Sequence, residues 1–290
     1  MRFLVVCAFS VAGATISAAW AQVYTSIDFP GALSTSLNGG PNPEGTSVGS
    51  YTADFVTLHG FLLQNGVFTS FDPPGATRTT PNWISPQGVV VGGYVDASGT
   101  SHGFIRKGGN YTTFDFPGAA GTQLSSLNSS GEMSGTSCAV ASCASGVTHS
   151  FLLSKKGVFT SFDPPGAVSS SASSVNPSGV LVGGYTTSDG AQHGYARSAK
   201  GNFTTIDFPG SAFTFDGAND PEGDSVGTYC DSNCSTIGTF HAFLLSGGVF
   251  TSFDFPGAIF SDASGINPSR LIVGVYVDSA GNEHGFVRTP

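Results

Sequence analysis

Six histidines recur at one position of an internal repeat, and this regularity restricts the chain to repeat architectures. Each is followed by a small residue and an aromatic one, as in His102-Gly103-Phe104. The six are His59, His102, His149, His193, His241 and His284. The repeats span about 42 to 48 residues and start near positions 23, 67, 110, 158, 202 and 249. They fill residues 22–290, so we expect a single domain there.

Each repeat contains signals for four short β-strands. A short segment comes first, and a turn then leads to an apolar run with a recurring glycine, such as Gly92. The histidine starts a third run, which closes at a pair typical of hairpins, such as Asn65-Gly66. The fourth run is aromatic and ends in an aspartate before Phe-Pro-Gly or Pro-Pro-Gly. The six aspartates are Asp28, Asp72, Asp115, Asp163, Asp207 and Asp254.

Four strands in a period of about 40 to 50 residues are typical of a propeller blade. We therefore predict an all-β fold, a six-bladed β-propeller, with a β-solenoid as the alternative. The segment Val23 to Phe29 matches a fourth strand, whereas the chain ends on a third strand, His284 to Arg288. We expect the N-terminal strand to complete the last blade, which closes the ring and removes two free strand edges.

The first 21 residues have the features of a secretory signal peptide. Arg2 supplies the charge, Phe3 to Ile16 the apolar core, and Ala19-Trp20-Ala21 a small-residue cleavage site. We expect the mature chain to start at Gln22 and to be secreted or periplasmic. No later stretch reaches the ~18 apolar residues that a transmembrane helix requires.

The net charge of -9 disfavours nucleic acid and anionic lipid surfaces as partners. Four of the five cysteines remain after residue 21, and they fall in two equivalent loops. In an oxidising compartment we expect local disulfides, Cys138 with Cys143 and Cys230 with Cys234. A four-cysteine zinc site would require two separated loops to meet, so it is disfavoured.

The signature around the histidines, complete in Thr239 to Leu245, resembles that of bacterial extracellular HAF-type repeat proteins, named after His-Ala-Phe. The resemblance covers residue 23 to the C-terminus with six matches, although most repeats carry Gly or Ser in place of Ala. It implies an exported repeat fold, and it names no ligand.

The histidines and aspartates invite a catalytic or metal-binding interpretation, but their regularity favours a structural one. A polar pair repeated in every blade usually ties strands together, whereas an active site breaks the symmetry. The third strand also lies away from the propeller axis, where histidines of different blades cannot share a metal ion. We therefore assign the six pairs to a structural framework and assign no catalytic residue.

Departures from the repeat are the candidate ligand sites. Trp83 lies near the predicted inner strand, where it either stacks on a sugar ring or packs between blades. Asp216, Asp220, Glu222 and Asp224 supply clustered oxygens that could bind Ca²⁺, although the spacing matches no standard calcium loop. A solvated acidic loop is the alternative, and no other cofactor is indicated.

These observations favour a noncatalytic role. We expect a binding or scaffold module for polysaccharide, cell-wall material or another exported protein. The alternative is a secreted propeller enzyme, a carbohydrate hydrolase or lyase, that uses acidic residues gathered from several blades at one end of the channel.

Overall fold

The computed structural model describes residues 22–144, 146–231, 234 and 240–290. The predicted signal peptide lies outside the described residues. The described part contains 24 β-strands and no helix. The first twelve strands are β1 (Val23–Ile27), β2 (Ser34–Gly39), β3 (Ser47–Thr52), β4 (His59–Gln64), β5 (Val67–Phe71), β6 (Ala76–Ile84), β7 (Val90–Asp96), β8 (Ser101–Lys107), β9 (Asn110–Phe114), β10 (Gly121–Leu127), β11 (Met133–Cys138) and β12 (Thr148–Leu153). The other twelve are β13 (Phe159–Phe162), β14 (Ala167–Val175), β15 (Leu181–Thr187), β16 (Gln192–Arg197), β17 (Phe203–Ile206), β18 (Phe213–Asn219), β19 (Ser225–Cys230), β20 (Phe240–Ser246), β21 (Val249–Phe253), β22 (Phe260–Ile266), β23 (Ile272–Val277) and β24 (Glu283–Thr289).

Consecutive strands pair antiparallel in sets of four, which we call units. Units 1 to 5 are β2–β5, β6–β9, β10–β13, β14–β17 and β18–β21, and unit 6 is β22–β24 with β1. Units 4 and 5 are joined into one eight-stranded sheet through a single parallel pairing, between Gln192 and Phe213. Each unit therefore contains the four strand runs that the sequence predicts, in the predicted order.

The first strands of the units surround a central channel. Each of these innermost strands contacts the next one, from β2 through β6, β10, β14 and β18 to β22, and β22 contacts β2 again. The chain ends meet in the same ring, because β1 pairs antiparallel with β24 from Val23–Thr289 to Ile27–Gly285. The molecule is an all-β propeller. Its closed ring of antiparallel units differs from the alternative β-solenoid.

The recurring glycine and the aromatic residue after each histidine form one packing element. A side chain at Gly49 would meet the carbonyl oxygen of Ser36 at 2.0 Å and the ring of Phe61 at 2.6 Å, so only glycine fits beneath that ring. The equivalent rings are completely buried, and they are Phe61, Phe104, Phe151, Tyr195, Phe243 and Phe286. The His-x-aromatic motif therefore supplies the core of each unit.

Both predicted disulfides are present. Cys138 pairs with Cys143 and Cys230 pairs with Cys234, and each bond closes a loop that follows a second strand. Among the described residues, no helix is long and apolar enough to cross a membrane.

Candidate functional site: the polar chamber of the channel

A β-bulge occurs at the same place in all six innermost strands. In β2, for example, Leu37 pairs with Gly49 and Gly39 pairs with Val48, so Asn38 is the extra residue. A bulge redirects the side chain of its extra residue, and bulges are common beside functional sites. Here the bulge residues line the channel, and they are Asn38, Asn82, Ser125, Ser173, Gly217 and Ser264.

The six bulge residues, and five of the six residues two positions before them, line a polar chamber of about 350 Å³ in the channel. Nine of its fifteen lining residues carry an amide or a hydroxyl group, and several of these groups are uncommitted. The side chains of Thr80, Gln123, Ser125, Ser173 and Ser264 make no hydrogen bond to another residue in the described part of the chain. The chamber therefore presents donors and acceptors from separate units to whatever occupies it.

Trp83 lies between the polar chamber and the other end of the channel. It follows the bulge in β6, and the residues at the same register in the other units are Gly39, Ser126, Ser174, Ala218 and Gly265. All five are small, which leaves room for one large side chain. Trp83 packs against the cluster of Ala218 and Ile266 in units 5 and 6 and against the cluster of Leu124 in unit 3. Its indole therefore extends across the channel.

A second chamber of about 420 Å³ lies beyond Trp83, where the turns between first and second strands converge. We call it the turn-side chamber. Prolines and aliphatic residues dominate its wall, including Pro177, Pro221 and Ile266. Asparagine amides link neighbouring turns, since Asn128 Nδ2 donates to the carbonyl of Asn176 and Asn176 Nδ2 donates to that of Asp220, both at 3.0 Å. Trp83 lines both chambers and separates a polar end from an apolar one.

Asp262 supplies the only ionisable side chain among the described residues that line the polar chamber. It is half-buried on β22, and its Oδ1 accepts a hydrogen bond from the hydroxyl of Thr228 on the neighbouring unit. Burial raises the pKa of Asp262, and the hydrogen bond from Thr228 opposes that shift. Phe215 also lines the chamber, at the position in unit 5 that Asp262 occupies in unit 6.

The four acidic residues considered for Ca²⁺ do not converge on a common point. Asp220 Oδ1 accepts backbone hydrogen bonds from Gly223 and Asp224, as the turn asparagines do in other units. Asp224 forms an ion pair with Arg270 at 2.8 Å, and Glu222 is exposed. Asp216 is buried on β18. In the described ranges no three His, Cys, Asp or Glu side chains form a metal site, so the structure does not support the calcium interpretation.

Asp216 occupies a position where other units carry Leu37, Pro81, Leu124, Ala172 and Ala263. Ser225 donates a hydrogen bond of 3.0 Å to its Oδ2, whereas its Oδ1 is buried and has no partner among the described residues. Burial raises the pKa of this carboxyl well above its usual range. A raised folded-state pKa gives a contribution to stability that is complete below about pH 3.8 and is lost as the pH rises through the folded-state pKa.

We predict that Asp216→Leu stabilises the protein near pH 7 by about 1 to 3 kcal/mol, because it removes a buried carboxyl with an unpaired oxygen. The gain should shrink at pH 4, where the wild-type carboxyl is protonated. Urea unfolding at both pH values measures the difference, with Glu44→Gln as the control for loss of an exposed charge. A variant less stable than wild type at pH 7 would contradict the prediction.

The six predicted histidine and aspartate pairs are in contact. The Nδ1 of each histidine, on a third strand, lies within hydrogen-bond distance of the carboxylate that follows the fourth strand, from 2.6 Å for His284 and Asp28 to 3.0 Å for His193 and Asp207. The other pairs are His59–Asp72, His102–Asp115, His149–Asp163 and His241–Asp254. All of them lie on outer strands, away from the channel.

A tyrosine belongs to the same network in five units, and our sequence analysis missed it. In unit 6, for example, Tyr276 stacks on His284 with ring centroids 4.9 Å apart and donates its hydroxyl to Ser26 on the outer strand. The tyrosines are Tyr51, Tyr94, Tyr185, Tyr229 and Tyr276. Each follows the recurring glycine by two residues, so the alignment of the repeats contains the signal.

No protein-family model and no curated protein matches the sequence. Several solved structures resemble the fold. A TolB-like protein from Agrobacterium tumefaciens aligns with a TM-score of 0.58 and 14% identity over 88% of this chain and 90% of that one. A lectin from Aleuria aurantia, described as a six-bladed β-propeller with a fucose recognition mode, aligns with a TM-score of 0.53 and 12% identity over 91% and 93% of the two chains.

A gluconolactonase from Xanthomonas campestris aligns with a TM-score of 0.52 and 13% identity over 89% of this chain and 87% of that one. These identities are too low to carry function, and the three proteins differ in what they do. The comparisons therefore agree with the strand pairing on one conclusion, that the chain has the β-propeller fold.

Proposed function

We propose that the chain is an exported, noncatalytic carbohydrate-binding module, a ring of six blades that binds saccharides in the polar chamber of its channel. The observation that carries the proposal is the wall of that chamber. Uncommitted hydroxyl and amide groups converge there from separate units, and aromatic rings lie beside them. Sugars need the same combination, because they present hydroxyl groups along the ring edge and apolar C–H groups on the ring face.

The six-blade count rests on the six units and the closed contact of their innermost strands. The link between units 4 and 5 is a single pairing at the end of a strand, so we count those units as two blades. The lectin from Aleuria aurantia is a propeller that recognises fucose, which supports a saccharide as the type of ligand. Export is supported by the two disulfides, which suit an oxidising compartment.

We infer that the histidine and aspartate pairs serve as a structural framework. Each pair links the third strand of a unit to the loop after its outermost strand, and in five units a neighbouring tyrosine ring extends the network. The pairs recur in every unit on the outer strands. The residues that line the channel, by contrast, differ from unit to unit. We therefore place ligand recognition in the chamber and not at the histidines.

The test is binding of residues 22–290 to a panel of cell-wall and extracellular polysaccharides, with product analysis for every positive. We expect saturable binding without cleavage. Gln123→Ala should weaken it about 2- to 10-fold through loss of an uncommitted amide in the chamber. Gln64→Ala, at the exposed end of β4, is the matched control and should bind as wild type.

Cleavage of a bound polysaccharide would favour the enzyme alternative. Hydrolysis of glycosides usually uses two carboxyl groups on opposite sides of the bond. The described lining of the polar chamber contains one, Asp262, which favours binding without hydrolysis. Absence of binding to any saccharide would refute the proposal and would favour a protein as the partner.

A further inference from the structure

Asp262 is the one ionisable residue among the described residues that line the polar chamber. At the same register the other innermost strands carry neutral residues, namely Ser36, Thr80, Gln123, Ser171 and Phe215. A carboxylate that is partly removed from water normally has a cationic partner. Here the hydrogen-bond partner is the neutral Thr228, and no Lys, Arg or His lines the chamber within the described residues. The described wall of the chamber thus contains a carboxyl group but no cationic side chain to pair with it.

The hydrogen-bond partner of this carboxylate lies on the neighbouring unit, which also supplies Phe215 to the chamber wall. Phe215 and Thr228 are directly opposite each other in the β18–β19 ladder, so their side chains lie on the same face of unit 5. Thr228 also donates to Asp262, which fixes the carboxyl group against unit 5, whereas the ring of Phe215 packs over Gly184 of unit 4. A carboxylate without a cationic partner favours an ammonium group, through a charge-assisted hydrogen bond.

We propose that the polar chamber selects saccharides that carry a free, protonated amino group, with Asp262 as the acceptor for the ammonium. The inference rests on the proposed saccharide binding. The uncommitted groups of Gln123, Ser125 and Ser173 remain for the sugar hydroxyls, and the raised pKa of Asp262 is the shift that a bound cation would reverse. The ligand class is therefore an amino sugar with an unacetylated amine.

Three β-1,4-linked tetrasaccharides test this selectivity, because they differ in the group at C2: glucosamine, N-acetylglucosamine and glucose. Calorimetry with residues 22–290 at pH 7 should show the glucosamine tetramer binding at least about tenfold more tightly than the other two, as expected for a charge-assisted hydrogen bond. Asp262→Asn should abolish that preference and change the affinity for the glucose tetramer less than about threefold.

Glu44→Gln is the matched control, since it removes one exposed negative charge outside the chamber. A preference that falls equally in Glu44→Gln and Asp262→Asn would show general attraction of a cation to an acidic protein and would overturn the inference. Equal binding of all three tetramers to the wild type would overturn it too, while leaving saccharide binding intact. Absence of binding to all three and to the polysaccharide panel would refute both proposals.

Discussion

Deletion of residues 22–30 should remove most of the free energy of unfolding, which for natural proteins is about 5 to 15 kcal/mol. Strand β1 supplies the outer strand of unit 6 and pairs with β24 over five residues. Tyr24 packs edge-on against Phe255 and contacts Phe286, while Asp28 accepts from His284. Without β1, these groups lose their partners and β24 becomes a free edge. Chemical denaturation measures the loss of stability. Failure to obtain a folded protein from the shortened chain would also agree with the prediction.

Point variants in β1 keep this prediction testable if the deletion does not fold. Tyr24→Ala should lower stability by about 2 to 4 kcal/mol through lost aromatic packing, whereas Thr25→Ala, one residue away and exposed, should change it by less than about 0.5 kcal/mol. A synthetic peptide of residues 22–30 should also restore stability to the shortened chain. An unchanged melting temperature after deletion would refute closure of the ring by β1.

Trp83→Ala should lower saccharide affinity about 30-fold or more, because aromatic anchors often contribute about 2 kcal/mol or more to binding. The substitution removes the indole that separates the polar chamber from the turn-side chamber and would join the two cavities. Calorimetry with the best ligand from the panel gives the affinity. Trp83→Phe retains an aromatic ring and should bind more tightly than Trp83→Ala.

Loss of packing is the alternative explanation for a weakened Trp83→Ala, because the indole contacts hydrophobic clusters on both sides of the channel. Thermal unfolding of each variant separates the two effects. A folded Trp83→Ala with wild-type affinity would place the ligand outside the channel. Weak binding that is restored by lowering the temperature would indicate destabilisation instead.

The repeat predicts much of the fold because each unit is made by local signals. The recurring glycine, the buried ring after the histidine and the hairpin pairs appear once per repeat, and short antiparallel connections bring them together. Closure by β1 was also predictable, since the chain begins with a fourth strand and ends with a third. The local disulfides followed from the position of the four cysteines in equivalent loops.

The site was harder to predict because it is assembled across units. A bulge depends on register between two strands, and nothing in Asn38 or Ser125 alone marks it as the extra residue. Linear clustering does not reveal the different surroundings of the acidic residues, since Asp216 is buried on a strand and Asp220 caps a turn. The position of Trp83 across the channel follows from five small residues on other units, which only the aligned repeats and the closed ring reveal together.

Fluorescence of Trp83 tests the central claim most directly, because it is the one tryptophan in residues 22–290. Titration with a saccharide that calorimetry shows to bind should give a saturable change in tryptophan emission, with the same dissociation constant as the heat signal. That result would place the ligand at the indole between the two chambers. Saturable heat with no change in Trp83 emission would place the ligand elsewhere and contradict the account.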